Sequence, residues 1–361
     1  MKVLIAPDSF KGSASAAEVA AALAHGWRSM RGDDEIVLLP QADGGEGTLE
    51  AIATAGAWHW RQLEVHGPDG RRVPARWLLD DDGRAVAELA ESSGIALLPR
   101  LDPWRADSRG LGEVIAAALA AGARSVQVGL GGSASTDGGA GVLMALGLKA
   151  FDAGGNPIGV GARGLAELAH VDAEGLAALP PGGVELLADT EAPLYGPRGA
   201  AAVFGPQKGA NPEDIAGLDS GLRRWAQALR AAGLAADPEQ PGAGAAGGVG
   251  FGLLAWGATT TSGSQRIAAL TGLPRHLADA DVVVTGEGRF DDTSLGGKLV
   301  GHVLAAAEQA GTAAVVVAGQ VAAQCTVPTV SLTELAGSGD AAIGDPLRWL
   351  HAAGAVAAQR V

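Results

Sequence analysis

The sequence predicts an α/β protein in which both chain ends form a Rossmann-like parallel-sheet domain and a second α/β domain is inserted. After a first strand at the N-terminus, short apolar runs of strand length lie at residues 36–39, 125–130, 281–285, 313–318 and 327–332. Continuous apolar strands separated by helices are typical of a parallel sheet covered on both faces. A chain of 361 residues also exceeds the usual size of one core, which favours two domains.

Local patterns predict the helices and a region of a different kind. Ser15 and Glu18 have the spacing of a capping box, and apolar residues follow at helical intervals, which predicts a helix over 15–30. A second helix is expected over 111–119, and a long one near 212–232. By contrast, residues 58–88 alternate in polarity between turn sequences, which predicts antiparallel hairpins.

These patterns suggest a division of the chain into two discontinuous domains. We assign residues 1–56, 106–147 and 268–361 to the Rossmann-like domain. Residues 57–105 and 148–267 then form the inserted α/β domain. The active site is expected in the cleft between the two.

The composition excludes several classes of function. A formal net charge of −14 argues against nucleic acid and anionic membranes as partners, because both attract clustered positive charge. The chain has no apolar run long enough to span a bilayer, and its start does not have the form of a signal peptide. The single cysteine, Cys325, rules out an internal disulfide and a thiolate zinc cluster. We therefore expect a cytoplasmic protein, and the sequence leaves open whether it forms a homo-oligomer.

The segment 242–248 matches a G-x-G-x-x-G dinucleotide motif by its letters. Pro238 and Pro241 precede it, where that motif requires a strand. We therefore interpret the segment as a ligand-facing turn or a closely packed helix start. An oxidoreductase would need the glycine motif after the first strand, where this chain has Asp8 to Ser13 as D-S-F-K-G-S.

Four segments combine glycines, acidic residues and small hydroxyls, and they lie between predicted structural elements: PDSFKGS at 7–13, ADGGEGT at 42–48, GLGGSASTDGG at 129–139, and TGEGRFD at 285–291 followed by GGK at 296–298. Loops after parallel strands converge on one edge of a sheet, where ligands bind. Each loop alone could be an ordinary turn, and Asp8 could simply cap one. Four such loops together indicate a Mg-nucleotide site.

The chemistry of phosphoryl transfer requires these residue types. Glycines allow backbone N–H groups to approach phosphate oxygens, and carboxylates hold Mg²⁺. Lysine or arginine neutralises the transferred phosphoryl group, and a carboxylate orients or deprotonates the attacking hydroxyl. The chain contains no Walker A sequence, so its phosphate site must be of another type.

Taken together, the motifs resemble those of the bacterial glycerate kinase family, from residue 7 to about residue 319. The four segments above and FGPQKGA at 204–210 carry this resemblance. It implies a two-domain α/β fold and transfer of the γ-phosphoryl group of ATP to D-glycerate, which in most members gives 2-phosphoglycerate and ADP. The acidic loops described above indicate Mg²⁺ as the cofactor. The chain departs from the family pattern at Ala192, where asparagine is usual, and at Thr293-Ser294, where Gln-Thr is usual.

The resemblance and the chemical requirements together assign hypothetical roles. Asp189 is the candidate to orient or deprotonate the glycerate hydroxyl, although an Asp at a strand end could also cap a turn, and Lys298 is a second catalytic candidate at a helix start. The other candidates are Asp8, Ser9, Lys11 and Lys208 for the substrate, Gly131, Gly132, Ser133, Gly286 and Arg289 for ATP, and Asp43, Glu46, Glu287 and Asp291 for Mg²⁺.

Other functions remain open at this point. The chain could phosphorylate the 3-hydroxyl of glycerate or act on a related small hydroxy acid. A member of a different class, a non-catalytic protein that binds a nucleotide or small acid, would not need carboxylates of the Mg²⁺-binding kind.

Overall fold

The computed structural model describes residues 1–295 and 298–361 and confirms an α/β fold. The strands are, in chain order, β1 Lys2–Ile5, β2 Glu35–Leu38, β3 Trp58–His66, β4 Arg72–Asp80, β5 Arg84–Glu88, β6 Ser125–Gly129, β7 Lys149–Asp152, β8 Leu168–Asp172, β9 Val184–Leu187, β10 Thr259–Thr261, β11 Val282–Phe290, β12 Ala313–Val321 and β13 Thr329–Ser331.

The helices are, in the same order, α1 Ala16–Met30, α2 Thr48–Ala53, α3 Leu89–Ser93, α4 Arg109–Ala120, α5 Ala140–Ala145, α6 Gly161–Glu167, α7 Ala200–Phe204, α8 Pro212–Ala231, α9 Ala245–Trp256, α10 Gly263–Thr271, α11 Leu273–Ala278, α12 Asp292–Leu295, α13 Leu299–Ala310, α14 Leu332–Ala336, α15 Gly339–Gly344 and α16 Pro346–Ala357. Short 3₁₀ turns lie at Ile95–Leu97 and Pro206–Lys208. None of the helices in the described ranges is long and apolar enough to span a membrane.

The chain divides into two compact units. The first unit contains residues 1–43, 50–56 and 264–361, and the second contains residues 44–49 and 57–263. The first unit thus includes both chain ends.

The first unit is built on a five-stranded sheet in the order β13-β12-β11-β1-β2. All of its strand pairs are parallel. Alternate side chains of the apolar strands serve two separate cores, since Val3 and Ile5 pack with α1 and α16, whereas Leu4 packs on the opposite side with α11 and α13. Burial on both faces explains why these strands are continuously apolar in sequence.

The helix expected over 15–30 is confirmed as α1. Ser15 and Glu18 form the predicted capping box, with the Ser15 side chain accepting the Glu18 N–H and the Glu18 carboxylate accepting the Ser15 N–H. The long helix expected near 212–232 is likewise confirmed as α8, which begins after a capping box at Asn211. Local capping chemistry therefore located the start of α1 correctly, and the same chemistry accounts for the start of α8.

The second unit contains a mixed six-stranded sheet in the order β10-β9-β6-β5-β4-β3. Strands β3, β4 and β5 pair antiparallel, which confirms the hairpins expected over 58–88. Strands β5, β6, β9 and β10 are parallel to one another. A separate antiparallel pair is formed by β7 and β8.

The assignment of residues 106–147 to the Rossmann-like domain was wrong. In the structure β6 lies between β5 and β9, so this segment belongs to the second unit. The cause is that β6 is an apolar parallel strand preceded by a helix, a pattern that both sheets share. The expected location of the active site in a cleft between the domains stays a prediction.

The segment 242–248 is a closely packed helix start, which is one of the two structures that the sequence analysis expected for it. Ala246, Gly247 and Gly248 have left-handed backbone conformations at the beginning of α9. A Cβ on Gly247 would lie 2.0 Å from the Ser135 carbonyl oxygen, so only glycine fits there.

The contact between α1 and α16 supports a prediction about stability. A Cβ on Gly26 would lie 1.9 Å from the His351 carbonyl oxygen, and this neighbour is rigid backbone. We expect Gly26→Ala to lower the free energy of unfolding by about 1–3 kcal/mol, measured by urea titration, because the helices must move apart. Gly339→Ala is the matched control, since its Cβ would meet nothing within 4 Å. Equal stability of the two variants would contradict the prediction.

Candidate active site

Three predicted carboxylates come together in the first unit at the carboxyl ends of neighbouring strands. Asp8 follows β1, Asp43 follows β2, and Glu287 lies in β11, which flanks β1 in the sheet. The Asp8 N–H donates to the Gly286 carbonyl oxygen at 2.8 Å, which holds the loop after β1 against β11. The parallel order of the strands is thus what brings the three side chains together.

Burial disfavours the charged form of two of these carboxylates, Asp8 and Glu287. Burial, with the nearby Asp43 carboxylate, raises the pKa of Asp8 to about 7. Burial also raises the pKa of Glu287. The Oε1 atom of Glu287 is buried and has no hydrogen-bond partner among the described residues. The group has the character of a site that a positive charge would stabilise.

Cationic side chains line the same cavity, which has a volume of about 420 Å³. Lys11 lies in the exposed turn after β1, and Arg289 lies near the end of β11. Lys298 is the residue before α13, and its Nζ donates to the Thr293 hydroxyl at 2.7 Å. Ser9 also lines the cavity, and its N–H donates to Asp8 Oδ1 at 2.6 Å. The cavity therefore gathers carboxylates for a metal and cations for an anion.

Two predicted site residues of the first unit have mainly structural surroundings. Asp291 accepts the N–H and the hydroxyl of Thr293, and it pairs with Arg289 at 3.3 Å. These hydrogen bonds lower the pKa of Asp291. Gly286 lies inside β11, where a Cβ would come within 1.9 Å of the Val317 carbonyl oxygen, so the close strand packing alone requires glycine. The glycines of the GGK sequence, 296 and 297, lie outside the described residues.

The glycine- and serine-rich loop after β6 lies in the second unit. The Gly131 N–H donates to the Gly44 carbonyl oxygen at 3.0 Å, and a Cβ on Gly131 would lie 2.3 Å from the Gly45 Cα. A Cβ on Gly132 would lie 3.3 Å from Glu46 Oε1. Glu46 therefore lies against this loop, in a different unit from Asp43, Glu287 and Asp291.

Lys208 holds this loop from inside the second unit. It is only 2% exposed, and its Nζ donates to Ser133 Oγ at 2.7 Å and to the Ser135 carbonyl oxygen at 2.5 Å. Burial lowers the pKa of Lys208 to about 7, and Asp137 opposes part of this effect. The Lys208 side chain therefore stabilises the loop through these two hydrogen bonds, and solvent does not reach it.

Asp137 anchors the other end of the loop. Its carboxylate accepts hydrogen bonds from the Ser108 N–H and hydroxyl, and from the N–H groups of Gly139 and Gly141, at 2.8–3.1 Å. This anchor was absent from the sequence-based candidates. The signal that could have found it is its position inside the STDGG segment, directly before the turn that begins α5.

Asp189 lies just after β9 and is exposed. Its Oδ1 accepts the Gly263 N–H at 3.0 Å. Nearby, the carbonyl oxygen of Ala192 accepts the Gly244 N–H at 2.8 Å. This contact is made by the backbone, so it does not depend on whether residue 192 is the alanine of this chain or the asparagine that is usual in the family.

A second cavity in the second unit, of about 900 Å³, contains none of the predicted site residues. It is lined by residues around 66–70, 98–109 and 159–167. Because this cavity lacks the carboxylate and lysine groups described above, we do not assign the phosphoryl-transfer site to it. The described residues hold no group of three or more His, Cys, Asp or Glu side chains arranged as a complete metal site.

Comparisons with known proteins agree with these features. The sequence profile described as the Glycerate kinase family matches residues 3–356. The chain is 44% identical over 304 residues to the glycerate 2-kinase of Escherichia coli K12, covering 83% of this chain and 80% of that protein. It is 40% identical to the glycerate kinase of Bacillus subtilis 168, covering 89% and 85%.

The structure is similar to the crystal structure of glycerate kinase 2 from Salmonella typhimurium LT2. The TM-score is 0.82 at 39% sequence identity, and the match covers 99% of this chain and 97% of the other. The sequence profile, the relatives and the structural match all extend over most of the chain. The chain belongs to the glycerate kinase family.

Proposed function

We propose that this protein transfers the γ-phosphoryl group of ATP to the 2-hydroxyl of D-glycerate, with Mg²⁺ as cofactor. The observation that carries the proposal is the cavity of the first unit, where Asp8, Asp43 and Glu287 share space with Lys11 and Lys298. Phosphoryl transfer needs both kinds of charge, since carboxylates hold the metal and cations neutralise the phosphates.

The residues present fit a magnesium ion. Mg²⁺ is usually held by one or two carboxylates together with waters and substrate phosphates, so a complete protein cage is not required. Glu287 Oε1 is buried without a partner in the described ranges, and the raised pKa of Asp8 reflects burial and a neighbouring carboxylate. Asp43 and Glu287 would hold the ion, which would neutralise charge on the transferred phosphoryl group.

The proposal uses the other predicted residues selectively. Lys11, Lys298 and Arg289 would bind phosphate oxygens, and the start of the twelve-residue helix α13 beside Lys298 adds a favourable dipole. Asp8 and Ser9 remain candidates for glycerate contacts. Asp291 has a smaller part than expected from sequence, since its oxygens already serve Thr293 and Arg289.

The loop of the second unit supports the same chemistry. Gly131, Gly132 and Ser133 would present backbone N–H groups to an anion, and Gly132 has the left-handed backbone (φ 73°) that favours such a turn. Lys208 would act as a positioning residue, because it bonds to Ser133 and Ser135 and is buried. Asp189 would orient or deprotonate the glycerate hydroxyl.

A coupled assay tests this function. D-glycerate-dependent ATP consumption is followed through enolase, pyruvate kinase and lactate dehydrogenase, with and without phosphoglycerate mutase. A signal without the mutase is expected, since enolase accepts the 2-phosphate directly, and removal of Mg²⁺ by EDTA should abolish formation of ADP, measured directly. A signal only with the mutase would move the phosphate to the 3-hydroxyl. Silence in both, with ADP detection also negative, would exclude the glycerate reaction.

A further inference from the structure

The cavity of the first unit is lined by two kinds of side chain. One kind is charged and includes the groups described above, from Asp8 to Lys298. The other kind is apolar and includes, besides Phe10 and Leu299, the residues Leu332, Ala342, Ile343 and Pro346, a set we call the apolar wall. These four residues come from α14, α15 and the first position of α16. Only Leu332 lies in a segment that the sequence analysis identified, the apolar run 327–332.

The apolar wall is incompletely covered by the protein itself. Leu332 and Ala342 are buried, at 2% and 5% exposure, but Ile343 is 66% exposed. Ile343 is the most exposed of the large apolar side chains in the described ranges, and it lines a cavity that charged side chains also line. Exposed apolar surface beside convergent polar groups is typical of a ligand site.

Glycerate does not explain such a wall. Each of its three carbons carries an oxygen, so the molecule has no apolar face to bury. ATP has a flat, largely apolar base at one end and an anionic triphosphate at the other. A cavity of about 420 Å³ falls within the range of small-molecule sites, and its lining supplies both the apolar and the cationic side chains that the two parts of a nucleotide require.

We infer that the apolar wall is the subsite for the nucleobase of ATP, with the phosphates directed to Lys11, Arg289 and Lys298. This inference rests on the proposed function, because it assumes that a nucleotide is the phosphoryl donor. It assigns a binding role to α14–α16, which contain none of the predicted site residues. It also predicts that the base and the phosphates are recognised by separable groups.

Ile343→Asn tests this separation without adding a charge. Its affinity for ADP, measured by titration calorimetry in Mg²⁺, should fall about tenfold, because burial of an apolar side chain is lost. Its affinity for inorganic tripolyphosphate, which has no base, should change less than about twofold. Leu347→Asn makes the same chemical change at an exposed position that does not line the cavity, and it should bind both as the parent does.

Three results would overturn the inference: unchanged ADP affinity in Ile343→Asn, an equal loss for ADP and tripolyphosphate, or a change only in oligomeric state. The last would make the wall a contact between copies of the chain. Photolabelling of the unmodified protein with 8-azido-ADP is independent of the variant's folding. Label is expected within residues 332–346, and label confined to other peptides would contradict the subsite.

The two proposals fail in different ways. Normal glycerate phosphorylation with unchanged ADP affinity in Ile343→Asn would remove the subsite and keep the kinase. Tight ADP binding and labelling of 332–346 without glycerate phosphorylation would keep the subsite and remove the proposed substrate.

Discussion

Asp189→Asn should lower kcat by at least about a hundredfold, because a general base typically contributes that much or more. The substitution is close to isosteric, and the amide oxygen can still accept the Gly263 N–H that Asp189 Oδ1 accepts at 3.0 Å. The fold around β9 should therefore survive, and the loss should appear in kcat and much less in the Km for ATP. Steady-state rates in the coupled assay, at saturating glycerate with the ATP concentration varied up to saturation, give both constants.

Glu191→Gln is the matched control for this change. Glu191 is also exposed and carries a carboxylate two residues further along the same loop. Its loss should leave kcat within about twofold of the parent. If Asp189→Asn turned over at nearly the normal rate, Asp189 would have a structural role, such as its hydrogen bond with the Gly263 N–H, and no catalytic one.

Lys208→Met should lower kcat/Km by about a hundredfold while leaving the protein folded. The change removes the donor to Ser133 Oγ and to the Ser135 carbonyl oxygen, so the loop after β6 loses its internal anchor. A displacement of about 1 Å in a positioning element can cost two orders of magnitude in rate. Lys149→Met is the control, since Lys149 is an exposed lysine that forms a surface ion pair with Asp172.

The stability of Lys208→Met should depend on pH in a defined direction. Burial lowers the pKa of Lys208 to about 7, below the value of about 10.4 for an unfolded lysine. Between these two values the unfolded chain binds more protons, so the parent gains stability as the pH rises from about 7 to about 10. The variant has no such group and lacks this gain. Its stability relative to that of the parent should therefore be highest near or below pH 7.

Thermal unfolding midpoints of the parent and of Lys208→Met at pH 6.5 and pH 9 test this prediction. The difference between the two proteins should shift in favour of the parent at the higher pH. If the midpoints of the two proteins changed equally between the two pH values, the pKa of Lys208 would not be lowered in the folded state. A loss of activity together with such an equal change would support the positioning role of Lys208 and contradict its lowered pKa.

Local chemistry made several parts of the fold predictable from sequence. The capping boxes at Ser15 and Asn211 determine where α1 and α8 begin, because they satisfy N–H groups that a helix start leaves open. The alternation over 58–88 likewise identified hairpins. By contrast, the partners of β6 could not be predicted, since strand pairing depends on residues 40 or more positions away, and both sheets accept the same apolar pattern.

The three lysines in glycine-rich turns show the same limit within the candidate site. In sequence, Lys11, Lys208 and Lys298 looked alike. In the structure, Lys11 is exposed, Lys208 is buried beneath a loop, and Lys298 precedes α13. Only the packing around each ammonium distinguishes a phosphate-binding lysine from a positioning one, because desolvation depends on neighbours that are distant in sequence.

The sequence by itself determined the family, the reaction class and the set of residue types, since these depend on motifs that are contiguous in the chain. The tertiary structure decided which carboxylates share a cavity, because Asp8, Asp43 and Glu287 meet only through the order of three parallel strands. It also decided that α14–α16 supply an apolar wall to that cavity. Burial and through-space distance set the charge state and the contacts of every one of these groups, and a linear sequence specifies neither directly.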